Sequence, residues 1–147
     1  MSPRIVILAD DLSGAADCAA ACCRAGLKTT VCLDPEALGP SDEALVLDLD
    51  SRALPPDEAR ASTLAVRALA GPVLYRKIDS TLRGHIGLDI AATLDIAGAD
   101  SFALVCPAYP ATGRVVRGGS VYVDGEPLQD TEIWAIGGRG SDRKSNV

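Results

Sequence analysis

Residues 73–84 read VLYRKIDSTLRG: an apolar, β-forming run that breaks at once into charge, hydroxyl and glycine. The run 73–78 has the composition of a strand. The ten residues from Tyr75 to Gly84 then supply cations, a carboxylate, two hydroxyls and a glycine. A solvated turn rarely needs so many hydrogen-bonding types so close together; a pocket for a small polyhydroxylated anion does.

The flanks of this stretch give the strand its setting. Upstream, Pro55-Pro56-Asp57-Glu58 reads as a helix entry with acids in the first turn. Ala61, Leu64, Ala65 and Ala68 supply its apolar face, and Gly71-Pro72 ends it. Downstream, Gly87, Ile90, Ala91 and Leu94 mark a further helix closing near Gly98. Residues 102–106 (FALVC) read as another strand. Nearer the start, residues 4–9 (RIVILA), 28–33 (KTTVCL) and 44–49 (ALVLDL) are strand-like runs. Between the first two, Ala16, Ala19, Ala20 and Cys23 recur at helical spacing up to Gly26. The segment with Pro35, Gly39 and Pro40 reads as loop. This alternation predicts an α/β fold, a mainly parallel sheet with helices on both faces.

The pattern changes after Cys106. Pro107, Pro110, Gly113, Gly118 and Gly119 mark an extended loop, and Ser120–Val123 meets the turn dipeptide Asp124-Gly125, predicting a small C-terminal hairpin. The expected organisation is one domain over 1–130 and a divergent, disordered tail over 131–147, without apolar periodicity from about Gly137.

Composition limits function. The 147 residues are 48% hydrophobic and only 3% aromatic, so the core must be built from Ala, Val, Leu and Ile. A net charge of -6 argues against a nucleic-acid or anionic membrane surface. It leaves room for a local cluster of Arg and Lys around a small anion. Five cysteines with no CxxC pair and a single histidine, His85, give no zinc pattern and read as small buried thiols of a reducing compartment. The first apolar run is too short for a signal peptide or a membrane span, so the expected location is cytoplasmic.

In an open parallel sheet, ligands bind beyond the carboxyl ends of the strands. Three polar clusters fall there in sequence: Asp10-Asp11-Leu12-Ser13-Gly14, Asp48-Leu49-Asp50-Ser51-Arg52, and Lys77 to Gly84. Arg52, Lys77 and Arg83 are candidates to hold a carboxylate. Asp10, Asp11 and Asp79 are candidates to accept from hydroxyls, and Ser13, Ser51 and Ser80 add adaptable partners. Each has a plainer alternative. One of Asp10 and Asp11 can be a helix cap, Asp50-Ser51-Arg52 an ordinary turn, and His85 a surface residue. Gly113-Arg114 and Gly118-Gly119 are candidates for an anion-binding loop, but no GxxxxGK[ST] is present.

The segments ADDLSGAAD (9–17), LDLDSRA (47–53), YRKIDSTLRGHIG (75–87) and CPAYPATGRVVRGGSVYVDGEPL (106–128) occur in one order. In that order they resemble the N-terminal domain of the four-carbon acid sugar kinases. This group includes threonate, erythronate and 3-oxo-tetronate kinases, and some members carry an older label as Hrp-dependent type III effector proteins. The resemblance implies that this domain binds the sugar acid. It also implies that a C-terminal domain, absent from these 147 residues, binds ATP with magnesium. Carried over, Asp10, Asp11, Ser13, Asp50, Ser51, Arg52, Lys77, Asp79, Ser80 and Arg83 contact substrate. Asp11 or Asp79 orients or deprotonates the acceptor hydroxyl, and Gly113 and Arg114 lie near the interdomain cleft. A separate ATP-binding chain is a possible partner. The alternatives are a non-catalytic hydroxy-acid-binding module and an inactive fragment.

Overall fold

The computed structural model describes residues 3–35, 43–69 and 71–136. Two compact units make up the chain. The first comprises residues up to Ile78 together with Gly84–Ala103; the second comprises Asp79–Arg83 and the residues from Leu104 onward.

The first unit is an α/β sheet. Strands β1 (Ile5–Ala9), β2 (Thr29–Cys32), β3 (Ala44–Asp48) and β4 (Val73–Lys77) lie in the order β2-β3-β1-β4, all parallel. Helix α1 (Leu12–Arg24) connects β1 to β2, α2 (Pro56–Ala65) connects β3 to β4, and α3 (Ile86–Ala97) follows β4. Alternation along β1 sorts the core. Ile7 and Ala9 face Ala15, Ala19, Cys18 and Cys22 of α1. Val6 and Leu8 face the other way, with Leu45, Leu47, Val66 and, from α3, Ile96. The sheet is therefore covered on both faces, and its central strands are continuously apolar because neither face meets water. The small side chains of α1 suit close packing on the sheet, and Ala15 is fully buried. Pro56 opens α2, with Asp57 and Glu58 in its first turn.

The second unit is a three-stranded antiparallel sheet of β5 (Arg114–Arg117), β6 (Ser120–Val123) and β7 (Glu126–Pro127). A short helix, α4 (Glu132–Ile136), follows. Val121, Val123 and Leu128 form its core, with Leu82, Ile133 and Trp134 packed against them.

Several expectations need correction. Residues 102–106 do not form a strand; they are irregular, with Phe102 86% and Leu104 90% exposed. Strand propensity alone cannot specify pairing, because an extended run becomes a strand only when a neighbour accepts its hydrogen bonds. The loop expected over 107–119 contains β5, and Gly118-Gly119 is the two-residue turn joining it to β6, each glycine with positive φ. The expected tail over 131–147 starts too early, since Ile133 and Trp134 anchor α4 to the core; residues 137–147 lie outside the described residues, as does most of the loop expected over 35–43. Of the five thiols, only Cys32 is buried, whereas Cys23 and Cys106 are exposed.

Candidate functional site

Parallel pairing brings the carboxyl ends of β1, β3 and β4 to one edge, with Ala9 in register with Asp48 and Lys77. Asp10 and Asp11 follow β1. Asp11 caps α1: its Oδ1 accepts from the Gly14 N–H at 2.8 Å. The plain helix-cap reading therefore holds for Asp11. Asp10 has a different partner, 42 residues away. Arg52 Nε donates to Asp10 Oδ2 at 2.8 Å and Nη2 to Oδ1 at 2.9 Å, a two-pronged fork. The same guanidinium reaches Asp11 Oδ2 through Nη1 at 2.6 Å.

The turn after β3 makes this fork possible. Asp50 sits at φ +43, in the left-handed region. The N–H groups of Ser51 and Arg52 both donate to the Asp10 carbonyl, at 3.0 and 3.1 Å. The turn is thus tied to the end of β1 by backbone and by side chain. Gly84 closes over the pair. At φ +81, a Cβ there would stand 3.1 Å from Asp10 Oδ2 and 3.4 Å from Arg52 Cγ, so only glycine fits without displacement.

Solvent reaches these groups unequally. The Asp10 side chain is 4% exposed and that of Asp11 is 24%. Asp11 Oδ1 accepts from the Gly14 N–H and Oδ2 from Arg52 Nη1, and each carboxylate oxygen has two lone pairs, so there is capacity for a hydroxyl. The Ser51 hydroxyl is buried and makes no hydrogen bond among the described residues. Ser13 is exposed on the first turn of α1. Burial raises the pKa of Asp48, which the Asp50 N–H partly offsets, while neighbouring Asp50, Asp11 and Asp10 push it further up.

Lys77, at the end of β4, lies across the start of α1. A Cβ on Gly14 would stand 3.1 Å from Lys77 Cγ and 3.5 Å from Nζ. Its ammonium donates to the Ile78 carbonyl at 3.0 Å, which accounts for one of its three donors. Among the described residues Lys77 forms no salt bridge. A cation beside a helix N-terminus is a setting that favours an anion.

On the opposite face of the sheet, Arg76 Nη2 lies 2.8 Å from Asp89 Oδ2, with both side chains buried. Arg76 Nε and Asp89 Oδ1 have no hydrogen-bond partner among the described residues. Arg76 Nη1 does donate to Thr63 at 3.1 Å. Burial raises the pKa of Asp89, and Arg76 only partly offsets it. His85 Nε2 is 2.8 Å from the Leu54 carbonyl, so that nitrogen carries the proton.

In the second unit, Asp79 organises its own loop. Its Oδ2 accepts from the Thr81 N–H and hydroxyl, the Arg83 N–H and Arg83 Nε; its Oδ1 accepts from Arg83 Nη2. Burial alone would raise its pKa. Hydrogen bonds from Arg83 and Thr81, with the Arg83 charge, outweigh that and hold it far below the usual carboxylate range. Ser80 lies in this turn and is half-buried. Gly113 (φ +73) precedes β5, and Arg114 Nη1 donates to Thr112 at 2.8 Å.

The geometry thus brings Asp10, Asp11, Ser51 and Arg52 together, with Ser13 and Lys77 at the same sheet edge. Asp79, Ser80 and Arg83 form a separate cluster in the second unit. Gly14 and Gly84, which the sequence places in two of the polar clusters without naming them as contacts, decide whether Lys77 and the Asp10–Arg52 fork can lie where they do. Their signal in the sequence is a glycine at a helix entry, within the first turn of α1 for Gly14 and just before the cap of α3 for Gly84.

No group of three or more His, Cys, Asp or Glu side chains is arranged to hold a metal ion among the described residues. Gly118-Gly119, a candidate anion-binding loop with Gly113-Arg114, forms the hairpin turn between β5 and β6. No described helix is long and apolar enough to cross a membrane.

Comparison with known proteins agrees with this architecture. Residues 5–136 match the family described as a sugar-binding N-terminal domain, and the chain belongs to that family. It is 43% identical over 137 residues to the D-threonate kinase of Cupriavidus necator, covering 89% of this chain and 32% of the relative. It is 42% identical to the D-erythronate kinase of Heliobacterium modesticaldum, covering 88% and 31%. A solved domain of unknown function from Bordetella bronchiseptica, a domain-swapped dimer with bound citrate, superposes with TM-score 0.84 at 38% identity, covering 90% of this chain and 36% of that one. The chain therefore spans about a third of the length of the curated relatives it matches.

Proposed function

We propose that this chain is the sugar-acid-binding portion of an ATP-dependent kinase that phosphorylates a hydroxyl of a four-carbon sugar acid. The observation that carries the reading is the placement of Lys77 across the first turn of α1, beside the partly exposed carboxylate of Asp11. A sugar acid offers both complements, a carboxylate for Lys77 and the α1 N-terminus, and hydroxyls for Asp11. The names of the relatives and the citrate held by the Bordetella protein support an organic acid as ligand.

Phosphoryl transfer depends mainly on positioning and electrostatics. Lys77 anchors the carboxylate. Asp11 accepts from the acceptor hydroxyl and takes its proton as the oxygen attacks. Asp10 and Arg52 act indirectly, since their fork fixes Asp11 through Nη1. Ser13, Ser51 and the Asp50 turn are further candidate contacts. Ser80 and Arg83 remain so on the second unit, where Asp79 shapes the turn and is not the base. Gly113 and Arg114 remain candidates for an interdomain loop. ATP and magnesium supply the phosphoryl group and its charge neutralisation when bound, and we assign both to the remainder of the protein or to a separate chain.

The test is a thermal-shift panel with D-threonate, D-erythronate and 3-oxo-tetronate, each with and without MgATP. A ligand that binds only the native state raises Tm. Stabilisation by a sugar acid and not by MgATP is expected; stabilisation by MgATP alone would overturn the assignment. Sugar-acid binding that persists in the full-length protein without turnover would favour a non-catalytic binding module instead.

A further inference from the structure

The Asp79–Arg83 turn contains a residue in an unfavourable backbone state. Leu82 has φ +60, in the left-handed region that a branched side chain rarely adopts. Its N–H donates to the Asp79 carbonyl at 3.0 Å, closing the turn on which the Asp79 carboxylate gathers Thr81 and Arg83. A glycine would adopt this conformation at no cost, yet leucine stands here. Its side chain packs against the cluster of Val121, Val123 and Leu128, alongside Ile133 and Trp134. Strain of this kind persists where surrounding packing over-determines it.

We infer that Leu82 is a positioning residue. Its seat in that cluster holds the Asp79–Arg83 turn in the shape that presents Ser80 and Arg83. The turn and the cluster therefore open together, and Trp134 reports the state of the turn. The link to ligand binding rests on the proposed contacts of Ser80 and Arg83; the link between Leu82 and the turn does not. Trp134 is the single tryptophan of the chain, so its emission is unambiguous.

The experiment uses the full 147-residue chain and Leu82→Ala, Leu82→Gly and Leu82→Met. Amide exchange by NMR reads the turn without ligand, through the Thr81 and Arg83 N–H groups bonded to Asp79. Leu82→Ala should raise their exchange rates about tenfold or more while leaving the β1 amides unchanged, because only the local opening equilibrium shifts. Its Trp134 emission should move to the red. Leu82→Met, which refills the seat, should restore both readouts. Leu82→Gly frees the backbone but leaves the seat empty, and should be as loose as Leu82→Ala. Wild-type protection in Leu82→Ala or in Leu82→Gly would overturn the inference. Calorimetry with D-threonate and D-erythronate separates the two claims. Weaker binding by Leu82→Ala supports the link to ligand, and equal binding overturns it. If the wild-type chain binds neither acid, the proposed function fails while amide exchange still decides the positioning role.

Discussion

Replacing Arg52 with alanine should cost far more than its charge count suggests. The substitution removes three hydrogen bonds to carboxylates and leaves Asp10, 4% exposed, without its cationic partner. Breaking a buried pair from one side costs about 3–5 kcal/mol, because the remaining charge stays desolvated. At roughly 3–4 °C per kcal/mol for a chain of this size, Tm should fall by roughly 10–20 °C. The control is Arg60→Ala. Its pair with Asp95 has similar geometry, at 2.6 Å, but both side chains are nearly half exposed. Exposed pairs contribute about 0–1 kcal/mol, so this Tm should move by about 4 °C at most. Arg52→Lys should fall between the two, because an ammonium cannot form the fork. The double variant Asp10→Asn, Arg52→Met should recover part of the loss, since no charge is left buried. The assay is thermal and guanidinium unfolding of all five proteins. A Tm for Arg52→Ala no lower than that of Arg60→Ala would refute the reasoning.

Further predictions concern the glycines, the lysine and the acid-sensitive turn. Helix propensity favours alanine over glycine by about 1 kcal/mol. Gly14→Ala should nevertheless destabilise, because its Cβ would crowd Asp11 and Lys77. The loss should shrink in a Lys77→Ala background, with a coupling energy of about 0.5–3 kcal/mol in denaturant melts. Gly84→Ala should lower Tm and weaken sugar-acid binding together, by straining φ and pressing on Asp10; wild-type values for both would contradict the packing described. The folded pKa of Asp79 lies below its ordinary value, so its ionised form stabilises the native state above the usual carboxylate range, and this contribution drains away as pH falls. The stability gap between wild type and Asp79→Asn should therefore stay constant from about pH 6 to 8 and narrow below about pH 4.

The sheet was legible because its signals are local and repeated. The apolar runs that became β1 and β3 are buried on both faces, the run at 73–78 became the edge strand β4 with Val73 and Tyr75 exposed, and helices of small residues accompany them. What failed depended on distant partners. FALVC has strand composition, but nothing in the run encodes whether an edge receives it. Strand β5 was hidden among prolines and glycines, although Val115-Val116 before Gly118-Gly119 carries a hairpin signature. At the site, Asp10 and Asp11 stood out as a pair, but their division of labour did not. It depends on Arg52, more than forty residues away, reaching back across the sheet edge. The same distance hid the seat of Leu82 and the close approaches at Gly14 and Gly84. Arg52 and Arg83 looked like carboxylate anchors because sequence shows charge and not its partner; each forms a fork with an aspartate of its own chain.

The most direct measurement is isothermal titration of D-threonate and D-erythronate into the wild-type chain and Lys77→Ala. Losing a charge-assisted hydrogen bond costs about 1.5–3 kcal/mol, a weakening of roughly ten- to 150-fold. Saturable binding of one sugar acid by the wild type, weakened to that degree in a Lys77→Ala protein that melts normally, is the result the account predicts. Equal affinity in the two proteins, or no binding of either acid, would contradict it.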